Sequence, residues 1–323
     1  AVTVDGTALA NGLITVEVDP SDGTFSIDGH GGLGHIVDDG DAGDTYNWSP
    51  PHNDVSVGGP ASVSVATVET GPVRARVAVD AVYRLPLHID DQTRVGEVDM
   101  AVRTVVELRA GEDFVRVATM LDNQARDHRM RVGFPLPSPT DHSEAECAFT
   151  VVRRGLDAAG GPTERPMSTF PSRRFVRAGG LTVAHEGLLE YELCAIADGR
   201  SHRLGLTLLR CTGMLSQGPM TTRPLPAGPE IPLEGAQQQG RQTFRYAVRL
   251  GDGDPYELVE AAFVPLQVAT GAGSGSVPGD GQHLSVTGAE VSALYRDAGA
   301  LHLRVFNPTD IEVTVTVDGR RGW

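Results

Sequence analysis

The sequence contains no lysine: all 27 fixed positive charges are arginines, set against 42 aspartates and glutamates. A formal net charge of -15 repels phosphate backbones and anionic lipid, so roles on nucleic acid and on membrane surfaces are set aside. No apolar run approaches the roughly 18 residues that a spanning helix needs, and no signal peptide is recognisable at Ala1. Cysteine is scarce as well. Cys147, Cys194 and Cys211 are an odd number, far apart and without a CxxC pair. That spacing argues against a disulfide framework or a zinc knuckle and for free thiols in a reducing cytoplasm. Aromatics make up only 5% of the chain, which speaks against an exposed row of sugar-stacking rings. No Gly-x-Ser-x-Gly elbow, phosphate loop or dinucleotide fingerprint occurs.

What the chain has in quantity is turn formers, Gly 39 and Pro 21, between segments of period-two hydrophobicity. Residues 13–18 and 24–27 read as a hairpin around Asp19-Pro20-Ser21-Asp22-Gly23. Alternation persists over 63–68, 74–85, 98–108 and 114–121, then over 128–134, where Pro135 and Pro137 end the strand. Further strands are expected near 149–152 and at 181–184, 191–196, 203–209 and 243–250. Between the last two, residues 216–239 are proline-rich and without period, and 254–268 suit one short helix or an extended crossover. The reading is an all-β protein: a large antiparallel domain over 1–268, a Gly/Ser/Pro-rich linker at 269–282, and a small β unit at 283–323. The small unit, with strands expected at 291–295, 301–306 and 311–317, has too few to close a sandwich alone.

The most distinctive stretch is Asp38 to Pro51, DDGDAGDTYNWSPP, whose composition suits neither a helix nor an inner strand and so predicts a loop. Tyr46 and Trp48 can cover the apolar side of a pyranose while Asp44 and Asn47 hydrogen-bond its hydroxyls. Calcium is an alternative occupant, though Gly43 and Pro50 stand where an EF-hand needs oxygen ligands. The simplest alternative is a solvated turn whose aspartates cap their own backbone. His88-Ile89-Asp90 has zinc-like spacing but sits at an expected hairpin tip without further ligands. Asp127 and His128 are adjacent on a strand and face opposite sides, so they do not form an acid/base pair.

Three ordered stretches resemble the C-terminal half of glycoside hydrolase family 38, the zinc-dependent retaining α-mannosidases, in bacterial form. They are Gly40-Asp41-Ala42-Gly43-Asp44-Thr45-Tyr46-Asn47-Trp48-Ser49-Pro50-Pro51, then Asp127-His128-Arg129-Met130-Arg131-Val132-Gly133-Phe134-Pro135. The third runs from Gly180-Leu181-Thr182-Val183 through Leu206-Thr207-Leu208-Leu209-Arg210 to Thr222-Arg223-Pro224. The resemblance implies a mutarotase-like antiparallel supersandwich followed by a small β-sandwich unit. It also implies that the catalytic residues and zinc lie in an N-terminal α/β barrel, joined by a helical bundle, which this chain lacks. On that reading the chain has no catalytic or metal-binding residues and no cofactor of its own, and is inactive alone. Its partners are that barrel and bundle and an α-mannoside or other carbohydrate. Its contribution to mannose metabolism is scaffold and one wall of the sugar pocket, with Tyr46 and Arg223 reaching the sugar beside Asp44 and Asn47. Two rivals remain open: a free-standing carbohydrate-binding sandwich, and a mutarotase-like enzyme using His128, His185 and Glu186.

Overall fold

A computed structural model describes residues 1–271, 281–282 and 284–319 of the chain. Its largest element is a nine-stranded antiparallel sheet, built first from Ser62–Thr70, Arg74–Leu85, Val98–Arg109 and Val115–Asn123 as sequential neighbours. Gly240–Leu250 then pairs with Val115–Asn123 and is followed outward by Leu181–His185, Phe175–Ala178, Ser143–Cys147 and Thr150–Arg154. In Val115–Asn123 the alternation is strict: Val115, Val117 and Leu121 are buried and Arg116, Ala118 and Met120 are not, as a sheet with one core face requires.

Two five-stranded sheets cover that core face. One is an N-terminal meander of Thr3–Asp5, Ala8–Ala10, Thr15–Val18, Phe25–Ile27 and His30–Leu33. The other has the order Thr169–Pro171, Glu190–Ala197, Arg200–Arg210, His128–Thr140, His35–Gly40. A single apolar cluster unites all three, with Leu9, Val16 and Phe25 from the meander, Val77, Val106 and Val117 from the large sheet, and Phe134, Leu193 and Leu206 from the third. Phe134 and Tyr246 meet edge to face across the layers, centroids 5.8 Å apart.

Several expectations are corrected. Asp38, Asp39 and Gly40 are not loop but the end of strand His35–Gly40; being an edge strand with paired carboxylates, it tolerates a composition that an inner strand would not. The strand beginning at His128 continues through Pro135 and Pro137 to Thr140, because a register shift between Pro135 and Thr140 removes the ladder bonds that proline cannot make. Residues 254–268 resolve as helix α1, Pro255–Phe263, capped by the Asp254 side chain accepting from Tyr256 N at 2.9 Å and opened by proline at its first position. Ser143–Cys147, Thr169–Pro171 and Phe175–Ala178 fall where the sequence predicts no strand.

Towards the C-terminus, Glu290–Asp297 pairs with Ala300–Phe306 and Leu284–Thr287 with Thr316–Gly319. The strand expected at 311–317 is confined to its last two residues and extends beyond them. Residues 272–280, the centre of the expected linker, 283, the first of the expected small unit, and 320–323 lie outside the described residues.

Candidate functional site

The site grows from the edge strand His35–Gly40, which presents Asp38 and Asp39 to opposite faces. On the inward face Asp38 is fully buried: His128 Nδ1 lies 2.5 Å from its Oδ2, and Arg94 donates to its Oδ1. Burial alone would lower the His128 pKa, but the adjacent Asp38 carboxylate more than reverses this and raises it to about 10. His128 is therefore an imidazolium, whose Nε2 donates to Asn123 Oδ1 at 3.1 Å. Asp127 turns away at a φ of 53° to exchange two hydrogen bonds with Gln237, and so shares no site with His128.

On the outward face Asp39 accepts from Arg131 and from Ser56 Oγ at 2.7 Å. Beside it Arg129, 1% exposed, bonds to both Glu192 oxygens and lies 4.0 Å from the centroid of the Trp48 ring. That contact fixes Trp48 by cation–π attraction, with its indole N–H donating to Gly40 O at 3.0 Å.

Beyond Gly40 the chain folds on its own carboxylates. Asp41 Oδ1 accepts from Gly43 N and Ser49 N, and its Oδ2 accepts from Arg210 Nε at 2.8 Å. Burial pushes the Asp41 carboxyl up despite Arg210. Asp44 Oδ1 accepts from Tyr46 N at 2.9 Å and Asn47 N at 3.0 Å, and its Oδ2 from Gln217 N and from Arg223. Burial works against the charge on Asp44, but those backbone donors and Arg223 outweigh it and hold the carboxyl below the ordinary value. Only glycine fits at 43, since a Cβ there would stand 2.1 Å from Asn47 O.

The proline-rich segment after Cys211 lies along this loop. Thr45 Oγ1 donates to Leu215 O at 2.7 Å, and Gln217 Nε2 donates to Ala42 O and Gly43 O. Arg223, 3% exposed, joins the two segments: Nε donates to Leu225 O, Nη1 to Asn47 Oδ1, and Nη2 to Asp44 Oδ2 and Gln217 O. One N–H, on Nη1, is left for anything else. The structure thus brings Asp44, Tyr46, Asn47 and Arg223 together, but unequally. Three of them form the brace, and the Tyr46 ring, 54% exposed with the Arg223 guanidinium 5.9 Å from its centroid, is what the brace presents.

The oxygens of Asp41 and Asp44 are occupied by protein donors, so the aspartates do cap their own backbone, yet buried instead of solvated. Among the described residues no group of three or more His, Cys, Asp or Glu side chains is placed to hold a metal ion. His88–Asp90 forms a short ribbon with Thr93–Val95. His185 Nε2 lies 2.9 Å from Ser172 Oγ, and burial lowers that imidazole to about 4. Glu186 accepts from Arg245 at the surface, so His128, His185 and Glu186 have separate partners. The sequence assigns Arg94, Arg210 and Gln217 no role at this loop; the one available signal is that carboxylates so dense need arginine counter-charges from elsewhere.

The layered β fold and the loop that it carries belong to the glycosyl hydrolase class. The family model "Glycosyl hydrolases family 38 C-terminal domain" matches residues 9–214, and the chain belongs to that family. A putative mannosylglycerate hydrolase of Halalkalibacterium halodurans is 26% identical over 205 residues, 57% of this chain and 22% of that protein. An α-mannosidase from Enterococcus faecalis shares the fold with a TM-score of 0.81 at 23% identity, over 99% of this chain and 39% of its own. A family 38 glycosyl hydrolase of the same organism gives 0.79 at 23% identity, over 99% and 40%. The chain therefore spans about a fifth of the curated relative and about two-fifths of the solved structures. Among the described residues no helix is long and apolar enough to cross a membrane.

Proposed function

We propose that the chain is the C-terminal, non-catalytic portion of a zinc-dependent retaining α-mannosidase, and that its acidic loop forms one wall of the mannose pocket. The observation that carries this reading is the Tyr46 ring: half-exposed, yet held by a brace of buried Asp44 and Arg223 and half-buried Asn47. An exposed aromatic fixed by buried ion pairs costs folding free energy to build, which points to a ligand face. Tyr46 covers the sugar and its hydroxyl bonds the ring hydroxyl nearest the reacting carbon, while Asp44 and Asn47 set the ring's direction and Arg223 offers its remaining N–H. Zinc belongs, by the same resemblance, to the barrel outside this chain, and no residue cluster among the described residues fits it. The three cysteines, all free, suit a cytoplasmic enzyme.

The test combines this chain with a zinc-loaded N-terminal portion of a family 38 enzyme and follows hydrolysis of an aryl α-mannoside and of mannosylglycerate. Activity is expected only in the mixture, and Tyr46→Phe lowers kcat/KM about tenfold, the worth of one neutral hydrogen bond of about 1.4 kcal/mol. Turnover by this chain alone, or indifference to Tyr46→Phe, refutes the reading.

A further inference from the structure

A cleft of about 730 Å³ lies at the start of helix α1, far in sequence from the acidic loop, between the Thr150–Arg154 edge strand and the C-terminal hairpins. Asp254, Glu290 and Asp310 contribute acceptors to its walls, Arg153 and the Glu144-paired Arg177 guanidiniums, and Thr150 a hydroxyl. Tyr256 also lines it. This side chain is 6% exposed, wedged edge-on between Phe175 and Phe306 at centroid distances of 5.1 and 6.1 Å, and its Oη has no hydrogen-bond partner among the described residues. A buried phenol without a partner is a standing cost that a ligand hydroxyl would remove. Burial pushes its pKa up, so the group remains a donor.

The volume is that of a small-molecule site with room for a disaccharide. The dispersed carboxylates do not chelate a metal, and their excess over the arginines disfavours an anion. Acceptors, two guanidiniums and hydroxyls around an aromatic wall match a neutral polyol. We propose that this cleft is a second carbohydrate-holding site, which takes a neutral disaccharide or the outer units of a longer glycan away from the Tyr46 pocket. The choice of mannose as its sugar rests on the functional reading above.

The experiment titrates α-mannobiose, and separately maltose, into the 323-residue chain and follows binding by saturation-transfer NMR and calorimetry. Mannobiose binding with a Kd of about 1 mM is expected. Tyr256→Phe, which removes one oxygen and keeps the packing, should weaken it about tenfold, and so should the surface change Asp310→Ala. Tyr46→Phe should leave it unchanged. Binding of maltose alone, with the same response to the cleft variants, keeps the site and counts against the mannoside reading. No binding of either sugar at tens of Kd-equivalents, about 20 mM, or binding lost in Tyr46→Phe and indifferent to both cleft variants, overturns the proposal.

Discussion

The acidic loop and the C-terminal hairpins apportion charge and apolar surface in opposite ways. Around the loop Asp38, Asp39, Asp41 and Asp44 are buried, and so are Arg94, Arg129 and Arg223. In the hairpins none of the described residues from 284 to 319 is buried, although Leu294, Leu301, Val305 and Ile311 are apolar and at least 38% exposed. Local hydrophobicity therefore does not decide which region is inside. Partners decide it: the loop's carboxylates meet Arg94, Arg131, Arg210 and Arg223 from four separate segments, whereas two-stranded ribbons offer their apolar residues too little to pack against. Where the described residues of the hairpins touch the body, they use Phe306 against Phe149 and Tyr256, and a backbone bond from Val151 N to Pro308 O.

The largest effect should come from cutting the loop's brace. Arg223→Ala strands Asp44 in a buried position with part of its hydrogen bonding lost. A loss of about 3–5 kcal/mol in unfolding free energy is expected, read from urea denaturation with an unchanged slope. A loss below about 1 kcal/mol would mean that the loop is solvated after all and that the contrast with the hairpins is false.

The two buried histidines sharpen the contrast by pH. His128, raised to about 10 by Asp38, contributes stability that is complete below its unfolded value of about 6.5 and is lost as pH climbs through 10. His185, lowered to about 4 by burial, does the reverse: its contribution is complete above about 6.5 and lost as pH falls through 4. Urea midpoints measured from pH 4 to 10 should decline on both sides of about 6.5. His128→Gln should flatten the alkaline limb alone, and His185→Gln the acid limb alone. If His128→Gln leaves the alkaline limb as it was, the buried imidazolium is absent.

A smaller effect is expected from the other side of the comparison. Removing residues 264–323 uncovers Phe149 and part of Tyr256 but takes away no buried residue of the hairpins, so the main unfolding transition should shift by only a few degrees, about 2–4 °C. Calorimetry that showed the whole domain failing to fold would prove the hairpins integral to the core.

Much of the fold was legible because the large sheet's alternation is regular: Arg74 to Leu85 alone carries a buried residue at nearly every second place. The loop's residues were legible as a group, since Asp44, Tyr46 and Asn47 are close in the chain. What could not be read was pairing over distance. Asp38 and Arg94 are 56 residues apart, and Asp44 and Arg223 are 179 apart, and only the assembled sheets bring them together. For the same reason Asp38 and Asp39 looked like loop: without their partners, two adjacent aspartates are poor strand formers, and with them they end an edge strand.

The smallest effect tests whether environment, and not residue type, sets the worth of an ion pair here. Arg103 and Asp80 face each other across neighbouring strands of the large sheet, with Arg103 Nη1 donating to both Asp80 oxygens at 2.8 Å and side chains 46% and 51% exposed. Their chemistry is that of Arg223 and Asp44, but water screens both charges, and either group left alone is simply solvated. Arg103→Ala should therefore cost less than about 1 kcal/mol, most of it abolished by 1 M salt, where the screening length falls to about 3 Å. The Arg223→Ala loss should persist at the same salt, because water and ions do not reach Asp44. Equal salt sensitivity in the two variants would show that the loop's charges are not sequestered, and the rigid presentation of Tyr46 would lose its physical basis.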